Sequence, residues 1–64
     1  MIGIVFEYDG YNGKIATENE LYYFIREDTN DDLKKGDVVK FQSNNNPMYK
    51  YAYHISKIDN QKKE

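Results

Sequence analysis

Three alternating tyrosines in the second half of the sequence resemble an aromatic and basic binding strip. Tyr49, Tyr51 and Tyr53 alternate at period two, with Lys50 between the first two. Rings interleaved with a lysine are typical of surfaces that stack nucleic-acid bases and contact phosphates. Alternate residues of a strand also point to one face, so the same three rings fit the closure of a barrel core. We favour the core interpretation.

Catalytic chemistry has little support in the sequence. The lone histidine, His54, has no cysteine to activate, and no serine-containing nucleophile motif or carboxylate pair is evident. A histidine within a strand is more often structural. Asp28, Asp31 and Asp32 lack the glycine and the final glutamate of a calcium loop. We therefore predict no enzymatic activity, no cofactor and no metal site.

Charge is divided unevenly along the chain. The net charge of −2 and the pI near 5.3 give no overall attraction to phosphate or anionic lipid. Residues 1–32 hold eight acids against two bases, a formal −6, whereas residues 33–64 hold seven lysines against three acids, a formal +4. An anion-binding surface should therefore use the second half. No apolar run approaches the ~20 residues of a membrane helix, and no signal peptide is recognisable, so we expect a cytoplasmic protein.

Short segments rich in β-branched and aromatic residues, separated by glycines and Pro47, predict an all-β domain. We predict five strands, at residues 2–8, 14–17, 21–26, 37–42 and 49–58. The acidic stretch 27–32 is predicted as a loop with one 3₁₀ turn, and residues 43–47 as a second loop. A single domain is expected over residues 1–59, followed by a frayed tail at 60–64.

Five short strands in so small a domain must curl, because a flat sheet would expose an apolar face and two edges. A five-stranded antiparallel Greek-key barrel of the oligonucleotide/oligosaccharide-binding (OB) type satisfies this constraint, and an SH3-like barrel is the alternative. If Ile15, Tyr22 and Phe24 point inward, strand alternation places Lys14 and Tyr23 together on the outer face.

The order of motifs resembles the cold-shock domain family over nearly the whole chain. The most specific match runs from Leu33 to Phe41, with the pattern Leu-Lys-x-Gly-x-x-Val-x-Phe. The other matching segments are Gly3-Ile4-Val5, Gly10-Tyr11-Asn12-Gly13-Lys14-Ile15, Tyr22-Tyr23-Phe24-Ile25 and Ala52-Tyr53-His54-Ile55. The resemblance implies a small OB barrel that stacks single-stranded RNA or DNA on aromatic side chains of its second and third strands.

The resemblance also implies a set of binding residues. Tyr11 matches the aromatic residue of the Gly-aromatic-Gly turn, Tyr23 the outward aromatic of the third strand, and Tyr8 the phenylalanine that ends the first strand. These three tyrosines are the stacking candidates. Lys14 and Arg26 are the candidates for phosphate contacts.

Four positions depart from the family pattern, one of them Asn12, an extra residue between the two glycines, and the first turn is shorter than usual. Glu7 stands about where the family has a tryptophan, Lys14 replaces the second turn aromatic, and Ile25 occupies the histidine position. We therefore predict weak, sequence-tolerant binding of single-stranded nucleic acid by a monomer or weak dimer. The alternative is a protein-interaction or regulatory module on the same fold, which would bind an unidentified protein partner.

Overall fold

A computed structural model describes residues 1–45 and 48–58 as a closed β-barrel. The barrel has the strand order β1-β2-β3-β5-β4, and a 3₁₀ turn at Arg26–Asp28 follows β3. The five strands are β1 (Ile2–Tyr8), β2 (Asn12–Ala16), β3 (Leu21–Ile25), β4 (Val38–Asn45) and β5 (Lys50–Lys57). This confirms the predicted all-β, five-stranded, OB-fold-like barrel, whereas the 3₁₀ turn begins at Arg26, before the predicted loop 27–32.

The barrel closes between β3 and β5 through a parallel pairing, whereas the other four pairings are antiparallel as predicted. Within the described residues, the register of β3 with β5 contains the single pair Tyr23 and Tyr51. Beyond it, Thr29 forms an isolated parallel bridge with Ile55, and the Thr29 hydroxyl donates a hydrogen bond to the Ile55 carbonyl at 2.9 Å. The closing contact is therefore short.

The fourth strand is longer than predicted. Residues 43–45 were expected in a loop, but Ser43 pairs with Ala52 and Asn44 pairs with Tyr51. Asparagine is depleted in strands, which is why the sequence indicated a loop, and pairing with β5 overrides that local preference. The rest of the predicted loop (46–47), the predicted domain end at 59 and the predicted tail (60–64) lie outside the described residues.

The core is a single cluster of buried hydrophobic side chains from all five strands and from the segment before β4. The orientation predicted for Ile15, Tyr22 and Phe24 is confirmed, because all three are buried. The full cluster consists of Val5, Ile15, Tyr22, Phe24, Leu33, Val39, Phe41, Ala52 and Ile55.

The C-terminal tyrosines lie outside this core. Tyr49 is 57% exposed, and Tyr51 and Tyr53 are half-buried, whereas β5 buries Ala52 and Ile55. Our prediction that the three tyrosines close the core was therefore wrong. The small Ala52 side chain fills the inward position, and the neighbouring rings stay at the surface.

A bulge in β5 makes this arrangement possible. His54 has φ 52°, in the left-handed region, and the pairing of β4 with β5 shifts between Lys40 and Gln42. One extra residue in a strand changes which face the following residues occupy. Ala52 and Ile55 can therefore both point inward although they are three positions apart.

A second bulge lies in β1. Val5 pairs with Ile15, and Glu7 pairs with Lys14, so that Phe6 is the extra residue. As a result, Phe6 and Glu7 are both exposed, although strict alternation would bury one of them. The bulge brings the Glu7 carboxylate beside Lys14 on the outer surface.

We predict that Phe24→Ala lowers the free energy of unfolding by about 3 kcal/mol or more, because it leaves a cavity in a small core. The Phe24 ring is 3% exposed and stacks on Tyr8, with ring centroids 5.2 Å apart. The matched control is Tyr23→Ala on the same strand, whose ring is 51% exposed and whose loss should cost less than about 1 kcal/mol. Equal losses in denaturant unfolding would contradict the observed strand orientation.

Candidate functional site

A row of side chains crosses the outer surface of all five strands. The register pairs Glu7 with Lys14, Lys14 with Tyr23, and Tyr23 with Tyr51. Asn44 of β4 continues the row beside Tyr51. Adjacent strands are about 4.8 Å apart, so neighbouring side chains in the row are within contact distance. We call these five residues the tyrosine row.

Specific contacts hold the row together. The Lys14 Nζ lies 3.3 Å from Glu7 Oε1 and 5.7 Å from the centroid of the Tyr23 ring. The second distance is within the range of a cation–π interaction. At the other end, Asn44 Nδ2 donates a hydrogen bond to the Tyr51 hydroxyl at 3.0 Å. Since the Lys14 and Glu7 side chains are 38% and 58% exposed, water screens their ion pair, which is therefore weak.

All residues of the row except Asn44 line a groove with a volume of about 860 Å³, which we call the tyrosine groove. Tyr49 also lines it, with its ring centroid 6.0 Å from that of Tyr51 and the two planes inclined at 35°. Ile25 adds an apolar side chain where the cold-shock pattern has a histidine. The volume is in the range of ligand-binding clefts, and the lining combines rings with a small number of polar groups.

The charges that line the groove do not attract a polyanion. Three carboxylates, from Glu7, Asp9 and Asp28, face two ammonium groups, from Lys14 and Lys35. The Asp28 carboxylate accepts a hydrogen bond from the Ile25 N–H at 3.0 Å, and Glu7 pairs with Lys14. These contacts give two of the carboxylates a hydrogen-bond or ion-pair partner. The net formal charge of the lining is still −1. Affinity for any ligand must therefore come mainly from the rings.

The five predicted binding residues divide between two grooves. Tyr8, Lys14 and Tyr23 line the tyrosine groove. Tyr11 and Arg26 line an adjacent groove of about 1200 Å³, and Tyr8 borders both. The structure therefore brings Lys14 and Tyr23 together, and it places Tyr11 in the neighbouring groove rather than beside Tyr23.

Tyr8 has a structural role in addition to its position between the grooves. Its ring stacks on Phe24 with the planes inclined at 30°, and its hydroxyl donates a hydrogen bond to the Gly10 carbonyl at 3.3 Å. A Cβ at Gly13 would collide with both rings, so this stack requires glycine there. At most one face of the Tyr8 ring is left for a ligand.

Sequence reasoning missed two residues of the groove, Tyr49 and Tyr51, by assigning them to the core. The signal was present in the alternation of rings with Lys50, which lies at the surface and pairs with Glu20 at 3.3 Å. Alternation alone does not say which set of residues faces inward. The bulge at His54 determines which residues of β5 face inward. No sequence pattern predicts that bulge.

The turn between β1 and β2 is built on Asp9. Its Oδ1 accepts hydrogen bonds from the N–H groups of Tyr11 and Asn12 at 2.9 and 2.8 Å. These two bonds favour the charged form and hold the pKa of the Asp9 carboxyl below its ordinary value of 3.8. The Tyr11 carbonyl in turn accepts a hydrogen bond from the Arg26 N–H at 2.7 Å, which fixes the turn beside the 3₁₀ turn.

This pKa predicts a specific pH dependence of stability. Because the pKa of Asp9 is lower in the folded than in the unfolded chain, its stabilising effect is present above the unfolded pKa and is lost as the pH falls through the folded pKa. Asp9→Asn cannot titrate. The difference in unfolding free energy between the wild type and this variant should therefore shrink as urea denaturation is repeated from about pH 6 down to about pH 2. A difference that stays constant would contradict this role.

Within residues 1–45 and 48–58, no three side chains of the metal-ligating types cluster. The same residues contain no helix with the length and hydropathy of a membrane span. Comparison of the chain with protein-family models, curated proteins and solved structures found no match. What the protein binds must therefore be inferred from the grooves.

Proposed function

We propose that the tyrosine groove binds single-stranded RNA or DNA weakly and with little sequence preference. The observation that carries this proposal is the pairing of Tyr23 with Tyr51 across β3 and β5, with Tyr49 beside Tyr51. Exposed rings at strand spacing suit a flexible strand, because every base offers a π face on which to stack. Oligonucleotide binding on the outer surface of a small barrel is also a known use of the OB fold.

Base stacking determines the affinity that we expect for single-stranded nucleic acid. A stacked base contributes about 1–3 kcal/mol, so Tyr23, Tyr49 and Tyr51 together supply only a few kcal/mol. A dissociation constant in the micromolar range or weaker follows. Little is added by phosphates, because Lys14 is paired with Glu7 and the lining of the groove is slightly negative.

The adjacent groove offers a path for a longer strand. Tyr8 borders both grooves, and beyond it lie Tyr11 and the Arg26 guanidinium. Arginine can stack on a base or contact a phosphate with several N–H groups. A strand that passes Tyr8 would therefore reach the two remaining candidate residues, and longer oligonucleotides should bind more tightly than short ones.

A protein segment is the second candidate ligand, and the carboxylates favour it. Glu7, Asp9 and Asp28 exceed the lysines of the tyrosine groove by one charge. A basic peptide with apolar or aromatic side chains would match both the rings and the acids. The protein would then act as an interaction module.

The first test is a titration of a labelled oligopyrimidine strand at low salt, followed by fluorescence anisotropy. Tyr23→Ala and Tyr51→Ala should each weaken binding by about 5- to 150-fold, the equivalent of one lost stacking contact. The matched control is Tyr53→Ala, which removes a half-buried ring from the same strand as Tyr51 but outside the lining of the groove. This variant should bind within about twofold of the wild type. Absence of binding up to high micromolar strand would overturn the proposal.

The second test uses Glu7→Gln and the salt dependence to separate the two ligands. Because Lys14 is paired with Glu7, one lysine–phosphate contact, from Lys35, predicts that log Kobs of the wild type falls with log salt with a slope of about −0.7. Glu7→Gln releases Lys14, so the oligonucleotide should bind more tightly and with a steeper slope. Glu18→Gln, the same charge change outside the groove, is the control and should have a smaller effect. A basic peptide that binds the wild type, and binds Glu7→Gln more weakly, would favour the interaction module.

A further inference from the structure

An apolar face lies on the outside of β1 and its two neighbouring strands. Ile2, Ile4 and Phe6 are 62%, 49% and 49% exposed. The register places Val38 of β4 and Ala16 of β2 on either side of Ile4. These five residues line one groove of about 670 Å³, and we call them the apolar face. In the strand order of the barrel, β1 lies opposite the closing contact of β3 with β5, where Tyr23 pairs with Tyr51, although Lys35 lines both grooves.

The composition of this face differs from that of the chain. Charged residues make up 31% of the sequence, yet the centre of the face, at Ile4, has apolar neighbours along its own strand and on both adjoining strands. Contiguous apolar patches on small proteins mark interaction surfaces or aggregation sites. An exposed face of this kind is expected to bury itself against a partner.

Opposite charges stand on the two sides of the face. Lys40 pairs with Ile2 on the β4 side, and Glu18 lines the groove on the β2 side, just beyond Ala16. In the part of the chain that the structure describes, neither side chain forms an ion pair within the protomer. The rim of the face therefore offers one negative group, Glu18, and two positive groups, Lys40 and Lys35, the second of which also lines the groove.

We propose that the apolar face joins two copies of this chain in a symmetric dimer. The two-fold axis runs parallel to β1 and passes over Ile4. Rotation about this axis brings the apolar faces of the two copies together, with the β4 side of one copy against the β2 side of the other. Lys40 of one copy then lies opposite Glu18 of the second copy, and the same pair forms again on the other side. The face is thus complementary to itself in charge as well as in hydrophobicity.

The available area indicates a weak dimer. A standard interface covers about 800 Å² on each partner, which is about a sixth of the 4655 Å² accessible surface of this chain. One strand and parts of its two neighbours in a five-stranded barrel offer at most that share. The rings of Tyr23 and Tyr51 stay accessible in the dimer, because they lie on β3 and β5, opposite β1, so this inference does not depend on what the tyrosine groove binds.

Sedimentation equilibrium over a range of protein concentrations tests the dimer. The mass should rise from 7.6 kDa towards twice that value as the concentration increases. Ile4→Lys should raise the dissociation constant of the dimer at least about tenfold, because it buries an unpaired charge. Tyr49→Lys, an equally drastic change at an exposed ring of the tyrosine groove, is the control and should leave the dimer unchanged. Circular dichroism checks that both variants are folded.

The charge pairs allow a sharper test of the arrangement. Lys40→Glu and Glu18→Lys should each weaken the dimer, because each places like charges opposite one another, and the double variant should restore it. A wild type that stays monomeric at all concentrations, or a dimer that survives Ile4→Lys, would overturn the proposal. Failure of the double variant to restore association would overturn the two-fold arrangement along β1.

Discussion

Burial of Ile15, Tyr22 and Phe24 is the constraint on which the rest of the structure depends. These side chains fix which residues of β2 and β3 face inward, and strand alternation then leaves Lys14 and Tyr23 as outward neighbours. A domain of this size has few buried side chains, so a register slip that exposed any of these three would remove a large part of the core. The same interactions that stabilise the fold therefore also hold the tyrosine row in place.

Two bulges interrupt this alternation and thereby change which side chains lie at the surface. In β1 the extra residue, Phe6, places Glu7 beside Lys14, and the same insertion exposes the Phe6 ring on the apolar face. In β5 the left-handed His54 lets Ala52 and Ile55 share the core while Tyr51 stays at the surface. Bulges commonly redirect side chains next to functional sites, and here each bulge adjoins a surface for which we propose binding.

The parts of the fold predicted from sequence are those governed by local pattern. Alternation was enough to orient Lys14 and Tyr23, and short strands in a small domain were enough to predict a barrel. The prediction failed at Asn44 and Tyr51, because their positions depend on the pairing of β4 with β5 and on a backbone conformation at His54 that histidine rarely adopts. The placement of Tyr11 outside the tyrosine groove likewise follows from the turn at Asp9 and from its bond to the 3₁₀ turn.

Among the described residues, the pairing of β3 with β5 has the shortest register of the five strand pairings of the barrel. Two backbone pairings connect β3 and the residues that follow it to β5. They are Tyr23 with Tyr51 and Thr29 with Ile55. A molecule that contacts both of the rings of Tyr23 and Tyr51 would hold β3 and β5 together. A ligand that binds only the closed barrel stabilises it against separation of β3 from β5. By the same linkage, a change that stabilises the pairing of β3 with β5 raises the affinity for that ligand by an equal free energy.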